Sequence, residues 1–184
     1  HFASLPGKPR VVVSGNVAVP WAGVRALDEN KDTYTIHALN APPGIPDREG
    51  VTAETCFVGA GMRRHSDLSY VPSRLSLVPV LLQRRIPPDV VIVHCAPPRD
   101  GQLSLGIEVN VLPAAIEGCR QRSGRVVAVI NDQMPYTYGD AQIPVEAVDV
   151  AVEVSAPLPA HDPVAPDADS LAIGHRVASR VSDG

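Results

Sequence analysis

A chain of 184 residues is the size of one domain of ordinary length, or one and a fraction. Hydrophobic residues make up 45% of it and aromatics only 4%, so its core must be built from Val, Leu, Ile and Ala, which suits a helix-covered parallel sheet better than a β-sandwich. The formal charge of −4 excludes a dedicated nucleic-acid surface, which needs a net basic face, and no apolar run of about 18 residues is present to span a membrane.

In chain order, the first strand is expected over 10–13 (RVVV). It ends at Ser14-Gly15-Asn16, and a helix follows over 21–29 with Pro20 in its first turn, where a missing N–H costs nothing. A strand, a small-residue turn and a helix start can aim free backbone N–H groups at an anion. With no G-x-G-x-x-G or Walker pattern, the same residues read equally well as an ordinary tight turn. TYTIH over 33–37 alternates as a second strand should, and 41–49 reads as an irregular loop. A third strand is expected over 54–59 and a short helix over 62–68. That helix would carry Arg63 and Arg64, a pair that can grip a phosphate or carboxylate or simply sit in solvent.

Ser73 suits an N-cap, and Leu75, Leu77, Val78, Leu81 and Leu82 follow at helical spacing, with Pro79 expected to kink or split the helix. Residues 89–95 (DVVIVHC) form the most strongly apolar run, a strand buried on both faces that should break at Pro97-Pro98 into the turn Arg99-Asp100-Gly101. A further strand is expected over 105–109, a helix over 112–122 with Pro113 in its first turn, a buried strand over 125–130, and a last strand over 148–154.

Residues 155–166 (SAPLPAHDPVAP) are rich in Pro and Ala and have little to bury, as in a linker. A helix over 167–181 would set Ile173, Val177 and Val181 on one stripe, which must dock on this domain or begin another. The expected division is a domain over 1–155, a linker over 156–166 and a helix over 167–184. With His1 where a start methionine would stand, the chain is expected to be part of a longer protein.

Alternating apolar strands and helices imply an α/β fold: an open, largely parallel, Rossmann-related sheet with helices on both faces and the strand-end loops gathered along one edge. Cys56, Cys95 and Cys119 are widely spaced and odd in number, as in a reduced, cytoplasmic chain, and no C-x-x-C or H-x-x-x-H spacing supports a metal site. His94 and Cys95 are strand neighbours and point to opposite faces, so they cannot form a dyad. Ser14 at a strand end reads as exposed enough for a nucleophile but lacks a G-x-S-x-G elbow. Asp100 and Glu108 are the carboxylates nearest the central loop, and neither lies in an acid–base pattern. The loops read as binding surface without a complete catalytic set.

Five segments, in order, resemble the N-terminal half of the acetyl-CoA hydrolase/transferase family, which includes 4-hydroxybutyrate and succinate:acetate CoA-transferases. FVGAGMRR over 57–64 is similar to the family's F-v-G-x-x-x-R. Leu68-Ser69-Tyr70-Val71-Pro72 with Leu75-Ser76 and Pro79 resembles its D-Y-x-P…L-S-x-x-P. Residues 89–106 resemble its DVa…SP-x-D-x-x-G-x-x-S-x-G signature through Pro98, Asp100 and Ser104-Leu105-Gly106, with no serine before Pro98 and with Gly101 directly after the aspartate. Residues 131–140 resemble N-x-x-mP-x-t-x-G, and 148–159 resemble iD-x-x-vE-x-x-x-P-L.

The resemblance implies ping-pong transfer of coenzyme A from an acyl-CoA to a small carboxylate through a glutamyl-CoA thioester, or release of CoA by water. It places the glutamate in a C-terminal half, so no catalytic residue is assigned here. The expected substrate-side residues are Ser14, Gly15, Asn16, Ser104, Gly106, Met134 and Pro135. The CoA thioester is a substrate, no permanently bound cofactor or metal is expected, and the partners are the protein's own C-terminal domain and further copies of itself. Hydrolysis of acyl-CoA, or metabolite binding without transfer, remain alternatives at this point.

Overall fold

A computed structural model describes residues 2–160 and 163–182. Strand β1 (Arg10–Val13) leads to helix α1 (Trp21–Asn30), then β2 (Tyr34–His37), β3 (Val51–Thr55) and β4 (Leu68–Tyr70). Helix α2 (Val78–Arg84) precedes β5 (Val90–Arg99) and β6 (Gln102–Ser104). Helix α3 (Leu112–Gln121), β7 (Arg125–Asn131), β8 (Gln142–Pro144), β9 (Val150–Val154) and α4 (Ala168–Ala178) complete the order.

The parallel strands lie in the order β4-β3-β2-β1-β5-β7-β9. Successive side chains on a strand face opposite ways, and the core divides accordingly. Val11 and Val13 of β1, Val90 and Ile92 of β5, and Val127 and Val129 of β7 pack with Val24 and Leu27 of α1. Val12, Val91, Val93, Cys95, Val126 and Ala128 pack on the other face with Leu82 of α2 and Leu112, Ala115 and Cys119 of α3. The open α/β sheet covered on both faces is therefore the fold. All three cysteines are free and buried.

Several local expectations need correction. Strand β5 does not break at Pro97-Pro98 but runs to Arg99 and turns out of the main sheet to pair antiparallel with β6, which pairs with β8. It pairs with β6 only at Ala96 and Arg99, and the register shifts between them, so the prolines occupy a bulge where a missing N–H breaks no ladder. Residues 105–109 are not a strand. Gly106 and Asn110 both have positive φ, 63° and 35°, and turn the chain there, while the strand lies at 102–104.

Residues 62–68 are turns leading into β4 rather than a helix. Loop groups compete for their polar atoms: Asp47 accepts the Ser66 N–H, and the His65 ring meets the Pro46 carbonyl. Strand β3 begins at Val51, just after Gly50 at φ 89°, and ends at Thr55, whose hydroxyl bonds Phe57 and turns the chain. Pro79 causes no kink because α2 starts at Val78, so the proline sits in the first turn and Ser73 lies outside the helix.

Beyond β9 the segment is not uniformly loose. Buried Asn131 donates to the Ala156 carbonyl at 2.8 Å and accepts the Ala156 N–H at 3.1 Å. Helix α4 is capped by the Asp167 side chain on the Ser170 N–H, and its stripe of Ile173, Val177 and Val181 is exposed.

Candidate functional site

Strand order locates the site. From β1 the chain moves outward through β2, β3 and β4, then returns to lay β5, β7 and β9 on the other side of β1. Loops leaving β1 and β5 therefore part in opposite directions, and such a switch point opens a crevice at the carboxyl ends of the strands. Ser14, Gly15 and Asn16 leave β1 at that crevice.

Ser14 is only 1% exposed, and its Oγ accepts the backbone N–H of His94 at 3.4 Å, tying β1 to β5. The expectation that Ser14 is exposed is thereby corrected: the side chain is interior. Gly15 lies against the loop after β2, where a Cβ would fall 2.0 Å from the Leu39 carbonyl oxygen. Asn16 takes a left-handed turn at φ 46°. Its Nδ2 donates to Glu108 Oε2 at 2.8 Å, and its Oδ1 accepts from Asn40 Nδ2 at 2.7 Å. Asn110 donates to the other Glu108 oxygen at 3.3 Å. A nearly buried carboxylate is thus held by amide donors, with no ion pair to it among the described residues.

The loops after β6 and β7 are joined by Ser104. Its Oγ donates to the Thr137 carbonyl at 2.8 Å and accepts the N–H groups of Thr137 at 2.9 Å and Gly106 at 3.1 Å. Thr137 Oγ1 returns a bond to the Gly106 carbonyl at 2.7 Å. Gly106 abuts Met134, which is buried with Ala18 and Ala96. Pro135 is exposed beside it, and Tyr136 carries the Arg99 guanidinium 4.5 Å above its ring.

The sequence-derived residues thus gather in two connected groups: Ser14, Gly15 and Asn16 around the β1 end, and Ser104, Gly106, Met134 and Pro135 across the β6 and β7 loops. Ala18 and Glu108 link the groups, through contact with Met134 and the bond to Asn16. Asp100 lies elsewhere, at the exposed tip of the β5–β6 hairpin in a two-residue turn with Gly101. Arg63 and Arg64 are exposed, and no hydrogen bond or ion pair among the described residues engages them. Asn40, Glu108 and Thr137 were not picked out as site residues. The available signal was asparagine after a strand, a residue that tolerates positive φ, as Asn16, Asn40 and Asn110 all do here.

The chemistry available is hydrogen bonding rather than nucleophilic attack. Burial pushes the Cys95 thiol up to about 12, so it stays protonated. Ser104 spends its hydroxyl on backbone groups. Burial lowers the pKa of the His94 ring, which lies 3.3 Å from the Ala18 carbonyl and away from Ser14 Oγ's bond to the backbone. Among the described residues no cluster of His, Cys, Asp or Glu is placed to hold a metal. No helix among them is long and apolar enough to cross a membrane.

Comparison with known proteins identifies the family of the chain. Residues 47–159 match the model of the acetyl-CoA hydrolase/transferase N-terminal domain. The chain is 31% identical to the 4-hydroxybutyrate coenzyme A transferase of Clostridium kluyveri, over 99% of this chain and 44% of the relative. It is 32% identical to the succinyl-CoA:acetate/propanoyl-CoA:succinate CoA transferase of Fasciola hepatica, over 77% of this chain and 32% of that one. It therefore spans less than half the length of these curated relatives. Among solved structures, RipA from Yersinia pestis superposes with a TM-score of 0.81 at 22% identity, over all of this chain and 47% of RipA, a likeness of fold. The 4-hydroxybutyrate CoA-transferase of Porphyromonas gingivalis superposes at 0.69 with 25% identity, over 98% of this chain and 43% of that one. Since the family model matches more than half of the chain and the Clostridium relative aligns along nearly all of it, this chain belongs to the acetyl-CoA hydrolase/transferase family, as its N-terminal domain.

Proposed function

We propose that the complete polypeptide transfers coenzyme A between an acyl-CoA and a small carboxylate, and that this chain supplies one wall of the cleft. The nucleophile is a glutamate outside this chain. It attacks the thioester, CoA leaves as thiolate from the acyl group, and re-attack on the resulting anhydride gives glutamyl-CoA and the free carboxylate. The second carboxylate then takes CoA by the same steps in reverse. The observation that carries this reading is a crevice equipped to bind but not to attack. Loops from β1, β6 and β7 converge at the switch point, yet every hydroxyl and thiol singled out there is buried, protonated or bonded to backbone.

In this reading Ser14, Gly15 and Asn16, with Ser104, Gly106, Met134 and Pro135, shape the substrate side. Glu108 orients Asn16. The isolated chain is inactive.

The test is to incubate the complete protein with acyl-CoA, with and without a carboxylate acceptor, and to trap the intermediate by borohydride reduction. Acceptor-dependent CoA transfer and a reduced glutamate outside these residues are expected. CoA release at the same rate without acceptor would make the protein a hydrolase, and turnover by the isolated chain would refute the division of labour.

A further inference from the structure

The last parallel strand leaves the sheet open. β9 pairs with β7 on one side, and no strand among the described residues lies along its other side, where Ala151, Val152 and Glu153 are exposed. The chain that follows is engaged elsewhere. Asn131 holds Ala156 through both backbone groups, Leu158 packs against the cluster of Ala18, Ala96 and Met134, and α4 is exposed along its whole length. Unpaired backbone groups on an edge are a template for another strand, which charges, prolines or bulges usually block. β9 (VAVEV) carries no proline, and its one charge is Glu153.

The outward groups can be named. The Val154 carbonyl accepts the Asp132 N–H at 3.3 Å, so the backbone of Val154 faces β7. Backbone groups of successive strand residues point to alternate sides, so Val150 and Val152 also face β7, while Ala151 and Glu153 present N–H and C=O outward. The side chains of Val150 and Val152 lie on the α1 face, where they line an apolar hollow of about 270 Å³ with Phe2, Ala22 and Ala26. Val152 is 48% exposed.

We propose that this edge joins a second copy of the chain, β9 against β9, antiparallel about a two-fold axis at Val152. Ala151 of each copy then exchanges N–H and C=O with Glu153 of the other, Val150 opposes Val154, and the two Val152 side chains meet beside the hollows. Charge selects this register. An axis at Ala151 would set Asp149 against Glu153 of the second copy, and one at Glu153 would set the two glutamates against each other. Like charges directly opposite are destabilising. An axis between residues would oppose an outward-facing residue to an inward-facing one. With the axis at Val152 the whole strand pairs, and each glutamate faces an alanine. This assembly is independent of the transfer reaction.

Sedimentation of the complete polypeptide over a range of concentrations should show a dimer. Val152→Cys should form a disulfide-linked dimer under mild oxidation, because directly opposed residues of this non-hydrogen-bonded kind lie about 4.5 Å apart at Cα, within disulfide reach. The controls are the parent protein and Arg63→Cys, on the segment leading into β4 at the opposite edge of the sheet. Both should link at least about tenfold less. Val152→Lys brings two like charges together on the axis and should weaken the dimer about fivefold or more, with the fold kept by circular dichroism.

A monomer at every concentration, linking of Val152→Cys no faster than the controls, or a dimer unmoved by Val152→Lys would each overturn the pairing. Unfolding by Val152→Lys would mean that another part of the polypeptide covers β9, and that result overturns it as well.

Discussion

Gly106 stands where two site loops meet, at φ 63°, and a Cβ there would fall 2.2 Å from the Met134 sulfur. Both the backbone and the neighbour therefore demand glycine. Gly106→Ala is expected to cost more than about 1 kcal/mol, read as a lowered urea midpoint at unchanged slope. Adding Met134→Ala should recover the part due to the clash and leave the part due to φ. The sequence marked this residue through its Ser-Leu-Gly motif. It could not show that Met134 is what the glycine faces, because the two meet only after β7 is laid beside β5. Glu108 went unassigned for the same reason: its partner Asn16 is 92 positions away in the chain.

At the scale of elements, β5 and the segment after β9 carry the most consequence. Val91 is fully buried among α2, α3 and the neighbouring strands. An uncompensated carboxylate there cannot be solvated, so Val91→Asp should abolish folding, seen as loss of soluble protein and of cooperative melting. Asn131 acts on a smaller unit. Its wholly buried side chain bonds Ala156 twice and accepts the Gln133 N–H at 3.1 Å. Asn131→Ala should destabilise by about 1–3 kcal/mol, with earlier proteolytic cleavage within residues 155–160 than in the parent chain. That segment read as free linker from composition alone, since nothing local in it signals an anchor on β7.

For the whole molecule, charge burial links stability to pH. Glu54 is 5% exposed, and burial alone would raise its pKa, yet hydrogen bonds from His37 Nδ1 at 3.0 Å and Arg10 Nε at 3.0 Å, with their charges, bring it below the ordinary value. A carboxyl with a depressed folded pKa contributes stability above its unfolded pKa and loses it as pH falls through the folded one. Stability should therefore decline on acidification below the ordinary glutamate range, about pH 4.3. Glu54→Gln should flatten that decline while lowering stability at neutral pH, as checked by melting curves across the acid range.

The sequence by itself determined the class of fold, the main buried strands and the families of loops worth watching. Runs such as VVIV and RVVAVI and the turn chemistry between them act locally, over a few residues. Its local errors fell where side chains from other parts of the chain overrule propensity: Asp47 and Pro46 on residues 65 and 66, and β6 on the prolines of β5. Only the tertiary structure decided the strand order, and with it the switch point between β1 and β5 that sets Asn16, Glu108, Gly106 and Met134 along one edge. It also decided that β9 closes the strand order with its outer edge unpaired among the described residues. The physical reason is that pairing between distant strands depends on packing summed over the whole core, which no short stretch of sequence encodes.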